Sequence, residues 1–420
     1  MSVLVVGLNH RTVPLEILER MTVNDGRLPK ALADLRGREN LGEVVLLSTC
    51  MRTEVYATAA RFHGAVVDVR NFLAELGFTA PEEFSDHLYS YYEDGATSHL
   101  FRVVSGIDSA VVGESEILGQ VRGAWEKAVS EGAAGPVLGN LFRHAVEVGK
   151  RVRSETAIGR GTTSVSQAAV AMASERLGGL AGRRILVLGA GDMGEGMAVA
   201  LAATPGLADV MVANRSWAGA VALAHKVGGR PVELGVLGSA LEDADLLLTS
   251  TASPTVLLHA DDLEAVMAAR PDRPLLVVDI AVPRDVDPAV GRLPGVDLLD
   301  MDDLRAFADA GMAGRRGEID RVQVIVDEEV ERYAAVATAR ELAPLVVALR
   351  RRGEDLRAAE LERFAPRLEG LDPRQAEAVD ALTKALLAKL LHEPTVRLKE
   401  AAGSPGGERL AESLRALFDL

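Results

Sequence analysis

A chain of 420 residues, 48% hydrophobic and 25% charged, has material for real cores and too much length for one, so two or three domains are expected. A single cysteine excludes internal disulfides and cysteine-cluster metal sites, and no apolar run approaches the roughly 18 residues of a membrane span. The net charge of −15 argues against a sequence-nonspecific nucleic-acid binder, whose phosphate contacts need a basic footprint, but leaves room for a structured RNA met by a local patch.

In chain order, Val3–Val6 reads as a first strand and not as the core of a signal peptide, which points to a cytoplasmic protein. Val44–Leu47 reads as a second buried strand, and the alternation over Arg52–Ala57 as a third. Val66, Val69, Leu73 and Leu76 fall at helical spacing, which predicts a helix over about 65–76 stopped by Gly77. A second helix is expected over about 96–104, with Asp94 or Thr97 as cap. Residues 1–157 thus form an α+β domain. Lys150, Arg151, Arg153 and Arg160, and further on Arg350, Arg351 and Arg352, are either solvated helix faces or RNA-facing patches.

Over 162–297 strands alternate with helices: Arg184–Leu188, Val210–Ala213, Leu246–Thr249 and Leu275–Val278. That alternation is the signature of a doubly wound parallel sheet. Gly189, Ala190, Gly191, Asp192, Met193 and Gly194 follow the first of these strands and open a helix. Gly189 allows the tight turn, Gly191 lets the backbone approach a pyrophosphate, and Gly194 lets helix and strand close up. The region is therefore a Rossmann-type nucleotide domain. Where an NAD site usually carries an acidic residue for the ribose, this chain has Asn214, Arg215 and Ser216, a cation and hydroxyl suited to the 2′-phosphate of NADPH. Residues 298–420 carry no strand pattern. They read as a long helix, softened over 311–317, with more helix after Pro344 and a Gly/Ser/Pro break at 403–407. Such a tail serves either dimerisation or an intramolecular bundle.

Cys50 stands at a strand end, two residues before Arg52. It is either a buried structural thiol or a nucleophile whose pKa Arg52 lowers, and Arg52 can instead clamp a carboxylate.

The chain resembles the glutamyl-tRNA reductase family. The likeness rests on Gly7 to Thr12, Ser48 to Glu54 apart from Met51, His99 to Ser109, Val112 to Glu114, Ile117 to Val121, Gly149 to Arg153, Gly189 to Gly194, Asp279 to Asp285, and Leu391 to Pro394, in order over nearly the whole chain. It implies an N-terminal catalytic domain, an NADPH-binding Rossmann-type domain and a C-terminal all-helical dimerisation domain. It further implies that Cys50 attacks the ester of glutamyl-tRNA, releases tRNA, and holds glutamate as a thioester that NADPH reduces to glutamate-1-semialdehyde, the first step of porphyrin synthesis by the C5 route. Thr49, Arg52, Ser109, Glu114 and Gln120 match substrate-recognition positions, Arg52 holding a carboxylate and Glu114 the α-ammonium. His99 matches a position for a proton donor. Met51, Ser115 and Glu116 fall in the same substrate segments but replace an asparagine, a proline and a glutamine of the family pattern, which leaves a catalytically weakened tRNA-binding or regulatory paralogue as the alternative. The resemblance also implies a homodimer, hand-over of the aldehyde to an aminomutase, and closure of the two domains about a hinge near 158–163.

Overall fold

The computed structural model describes residues 2–159, 164–251, 253–310, 316–401 and 405–420. The chain divides into two compact units, 1–327 and 328–420. Arg160, most of the expected hinge, positions 311–315 of the expected soft spot, and positions 403 and 404 of the expected break lie outside the described residues.

The first unit opens with a four-stranded antiparallel sheet of β1 (Ser2–Asn9), β2 (Val44–Thr49), β3 (Arg52–Ala59) and β4 (Tyr89–Tyr92), in the order β2-β3-β1-β4. β3 is buried on both faces although its sequence, RTEVYATA, is half polar. The strand period of two puts Arg52, Glu54 and Tyr56 on one face, and their polar groups are satisfied by one another. Around this sheet lie α1 (Leu15–Met21), α2 (Leu28–Arg36), α3 (Phe62–Gly77), α4 (Asp94–Val104), α5 (Glu116–Ser130) and α6 (Pro136–Glu155). α3 ends at Gly77 as expected, with Phe78 following as a left-handed C-cap, φ 49°. One boundary expectation is corrected. Asp94 lies inside the first turn of α4, whose N-cap is Glu93 and makes no side-chain cap bond. β4 escapes pattern reading because it is a short edge strand, Tyr-Ser-Tyr-Tyr, mostly facing solvent.

After α7 (Val165–Leu177) comes a six-stranded parallel sheet: β5 (Arg184–Leu188), β6 (Asp209–Ala213), β7 (Arg230–Val232), β8 (Leu246–Thr249), β9 (Leu275–Asp279) and β10 (Val296–Leu299). Its order, β10-β9-β8-β5-β6-β7, reverses at β5 and β8, and that switch point is where doubly wound sheets open a ligand crevice. The core strands are continuous apolar runs, as a sheet covered on both faces requires. β7 and β10 were not expected. Both are short edge strands, and β7 carries Pro231, which an edge tolerates. The helices α8 (Asp192–Ala202), α9 (Trp217–Val227), α10 (Leu237–Asp243) and α11 (Ala260–Ala268) cover the sheet, and α12 (Met301–Ala310) follows it.

From residue 301 onward all described elements are helical. α13 (Arg316–Leu368) runs through Pro344 without ending there, contrary to the expected break. In the second unit α14 (Pro373–Glu400) starts with a capping box on Asp372, and α15 (Pro405–Phe418) completes the chain's helices. A small core of Leu342, Leu345, Val346, Leu398 and Ala411 forms there, while Leu382, Leu386 and Leu390 recur every four residues on α14 and stay exposed.

Candidate active site

Cys50 and Met51 form the two-residue turn between β2 and β3, with Thr49 paired to Arg52 across the ladder. The turn is held from inside: the Met51 N–H donates to the Thr49 hydroxyl at 3.1 Å and the His10 N–H to the Met51 carbonyl at 2.9 Å. Met51 itself is buried in an apolar cluster together with Leu15, Ala110 and Val111 of the first sheet domain and Val165, Val278, Ile280 and Met301 of the nucleotide domain. Cys50, half-buried, packs against the same cluster. The thiol therefore lies at the seam between the two folds of the first unit.

Beneath the turn lies a buried ionic network. The Arg52 guanidinium, 1% exposed, donates from Nη1 to Glu54 at 2.8 Å and to the Asp108 carboxylate at 3.1 Å, and from Nη2 to the Asp108 carbonyl at 2.6 Å. Arg11 reaches the other Asp108 oxygen at 3.1 Å. Glu54, fully buried, also accepts from the Tyr56 and Tyr89 hydroxyls at 2.6 and 2.5 Å and lies 2.9 Å from Nε2 of His99. Burial alone would raise the Glu54 carboxyl, but Arg52, His99 and Tyr56 outweigh it and hold it well below the usual carboxylate range. His99 stacks on Tyr91, ring centres 4.9 Å apart, so both its orientation and its polar partner are fixed.

The electrostatics of the thiol reverse one expectation. Arg52 does lower the Cys50 pKa, but it is the weakest influence. Burial comes first, then the carboxylates Glu114 and Glu116, and together they push the thiol up to about 12. The charge of Arg52 is already balanced by Glu54 and Asp108, whereas two acidic groups face the sulfur. Burial likewise pushes Glu114 up to about 7, with the Ser109 hydroxyl opposing and Glu116 adding to the rise. The Glu114 carbonyl is pinned by Nη2 of Arg153 at 2.9 Å. Arg153 is thus spent on internal backbone and Arg151 pairs with Glu155, while Lys150 is exposed.

Ser109 is buried, Ser115 is exposed at the N-cap of α5, and Glu116 and Gln120 are half-buried on that helix. Glu116 is raised by burial and by Asp192 of the glycine-rich loop, so the sequence segments around Cys50, Glu114 and the nucleotide loop converge. Glu54, Asp108 and Tyr89 were not among the expected site residues. The signal for Glu54 was the period-two spacing from Arg52; Asp108 and Tyr89 arrive from distant segments.

At the nucleotide loop, a Cβ on Gly194 would lie 2.1 Å from the Gly189 carbonyl oxygen, and one on Gly189 (φ +111°) 2.8 Å from the Ser250 carbonyl, whereas one on Gly191 would meet nothing. Two glycines are therefore required by packing, and the third leaves open space in front of the N-terminus of α8. These features fit a dinucleotide pyrophosphate. Met193 is half-buried against the domain core. The Asn214 amide accepts from the Ala190 N–H at 3.3 Å and donates to the Ser216 carbonyl at 3.2 Å, tying the end of β6 to the loop. Arg215 is exposed, and the Ser216 hydroxyl caps α9. Among the described residues there is no metal-binding cluster and no helix long and apolar enough to cross a membrane.

A thiol-bearing α+β domain seated on a nucleotide-binding, dehydrogenase-like domain defines an oxidoreductase. The family model for the glutamyl-tRNA reductase N-terminal domain matches residues 6–156, that for shikimate/quinate 5-dehydrogenase residues 171–307, and that for the glutamyl-tRNA reductase dimerisation domain residues 321–420. The chain is 41% identical over 421 residues to the glutamyl-tRNA reductase of Desulforudis audaxviator (strain MP104C), covering 100% of this chain and 94% of that protein. It is 40% identical over 420 residues to that of Trichlorobacter lovleyi, with 100% and 96% covered. Among solved structures, the glutamyl-tRNA reductase from Methanopyrus kandleri matches with 33% identity, a TM-score of 0.51, and 100% and 99% of the two chains covered. The chain belongs to the glutamyl-tRNA reductase family.

Proposed function

We propose that this protein reduces glutamyl-tRNA to glutamate-1-semialdehyde through a thioester on Cys50, with NADPH as reductant. The observation that carries this reading is the position of Cys50 on a hairpin turn, at the seam with the nucleotide domain. In the first step the Cys50 sulfur bonds to the ester carbonyl carbon, the carbon–oxygen bond to the terminal ribose breaks, and the thiol proton ends on the leaving hydroxyl. When bound, NADPH supplies the hydride that turns the thioester into the aldehyde and frees the thiol.

The high thiol pKa suits a substrate-triggered nucleophile. An α-ammonium seated at Glu114 and Glu116 neutralises the charges that hold the proton on sulfur, so the thiol ionises when its substrate is present. Arg52, buried and paired with Glu54 and Asp108, serves the substrate's side-chain carboxylate by exchanging its Asp108 carboxylate contact for it. Thr49, Ser109 and Gln120 complete polar recognition, and His99, oriented by Glu54, hands a proton to the departing or forming oxygen. Ser115 and Met51 shape the same segments. Gly189 to Gly194 would hold the pyrophosphate, and Arg215 with Ser216 the 2′-phosphate that distinguishes NADPH from NADH. We take residues 1–157 as the catalytic domain, 162–297 as the cofactor domain and 298–420 as the dimerising part of a cytoplasmic homodimer that passes its aldehyde to an aminomutase. The exposed leucine row of α14 supports the dimer.

The test is tRNA-dependent NADPH oxidation by the purified protein and by Cys50→Ser. The reading expects turnover that requires glutamyl-tRNA and drops at least about a hundredfold in the variant. Oxidation that persists in Cys50→Ser, or that ignores tRNA, rejects it.

A further inference from the structure

Two polar ties from the Cys50 domain, one to the nucleotide domain and one to the helix that follows it, lie outside the reaction chemistry. Arg284, in the loop after β9, donates both its backbone N–H and its Nε–H to the same oxygen of Glu19 on α1, each at 2.9 Å. Both side chains are largely withdrawn from water, 18% and 13% exposed. Arg305 of α12 donates to the His10 carbonyl at 2.7 Å, and the His10 N–H in turn holds the Met51 carbonyl of the thiol turn. Between these two polar ties Met51 and Leu15 plug the apolar cluster of the nucleotide domain.

The loop that presents Arg284 is built to be stiff. The Asp279 carboxylate collects the N–H groups of Ala281, Asp285 and Val286 at 2.8–3.0 Å. The Asp285 carboxylate is held in turn by the hydroxyls of Thr249 and Thr251 and by the Thr251 N–H at 2.7 Å. Both carboxylates are buried, so the loop's position follows that of β8 and β9. Its location matters as much as its stiffness. If the turn after β5 holds the pyrophosphate and the end of β6 the 2′-phosphate, a dinucleotide crossing the switch point would bring its nicotinamide end toward the carboxyl ends of β8 and β9. Arg284 leaves that same edge and reaches the helix packed beside the Cys50 turn.

We propose that Arg284 is a positioning residue: its clasp on Glu19, seconded by Arg305 on the His10 carbonyl, fixes the Cys50 turn over the nicotinamide end of the crevice for hydride transfer. The inference rests on the proposed reaction, and it separates the two chemical steps. Formation of the thioester needs only the first domain and the substrate; its reduction needs the two domains in register. An error of about an ångström in that register is enough to lower a rate roughly a hundredfold.

The experiment uses the full-length protein, Arg284→Gln, Glu19→Gln and the swapped pair Glu19→Arg/Arg284→Glu. Hydrogen exchange of the α1 amides is followed first, without substrate. The single variants lose protection over Leu15–Met21, and the swap regains part of it, since it restores the side-chain pair but leaves the backbone N–H of position 284 without its acceptor. With glutamyl-tRNA, Cys50 acylation and tRNA release stay within about twofold of wild type, while NADPH-dependent reduction of the thioester falls at least about tenfold. Unchanged α1 exchange in both single variants overturns the clasp, as does a parallel loss of acylation and reduction. Should wild type fail to acylate Cys50 at all, the proposed reaction falls, and the exchange result still decides whether the clasp exists.

Discussion

The sulfur of Cys50 is governed by its neighbours' charge more than by its place in the sequence. A thiol two residues from an arginine invites the expectation of a lowered pKa; the structure gives about 12, because Arg52 is balanced by Glu54 and Asp108 while Glu114 and Glu116 face the sulfur. Removing one of the two carboxylates must favour the thiolate. Glu116→Gln is therefore expected to shift the midpoint of the pH–rate profile for iodoacetamide alkylation downward and to speed alkylation at pH 8 several-fold, since the thiolate is the reacting species. An unchanged or slower profile would show that Glu116 does not act on the sulfur. Cys50, Arg52 and Glu114 were legible as a constellation because their segments carry the family's pattern. Glu54 was not singled out: its importance comes from a buried network closed by Tyr89 and His99, which approach from elsewhere in the chain. The replacement of the family's asparagine by Met51 has a packing reason, since the side chain enters an apolar seam where an unpartnered amide would be costly.

Among the elements, the turn between β5 and α8 was the most readable, because strand, glycines and helix all had to fall in register. Its glycines are not equivalent. Gly191→Ala adds a methyl into open space, so the melting temperature should hold while NADPH affinity, read by fluorescence titration, weakens about tenfold or more. Gly194→Ala drives a methyl to 2.1 Å from the Gly189 oxygen and should cost about 1–3 kcal/mol of stability as well as binding. Equal melting losses for both variants would mean that Gly191 is structural and the open space is not a ligand path. The elements that pattern reading missed share one property. β4, β7 and β10 are short edge strands with weak alternation, and their pairing depends on the neighbours that recruit them. Pro344 was read as a helix boundary because local propensity says so, and α13 continues through it.

For the molecule as a whole, the three-part plan of α+β domain, doubly wound domain and helical tail was legible from changes in periodicity. What joins the first two was not. Glu19 and Arg284 lie 265 residues apart, and nothing local in either segment announces a partner. The resemblance implied a domain closure that brings cofactor to thiol; in this structure the thiol turn already packs on the nucleotide domain, within one compact unit. The account as a whole depends on a covalent intermediate at Cys50. Its most direct test is to incubate the protein with glutamyl-tRNA without NADPH, digest at low pH and weigh the peptide that contains Cys50. The account predicts a mass gain of one glutamyl group on that peptide, removable by hydroxylamine and lost on adding NADPH as aldehyde appears. NADPH-dependent aldehyde formation with no adduct at Cys50, at the same rate in Cys50→Ser, would contradict it.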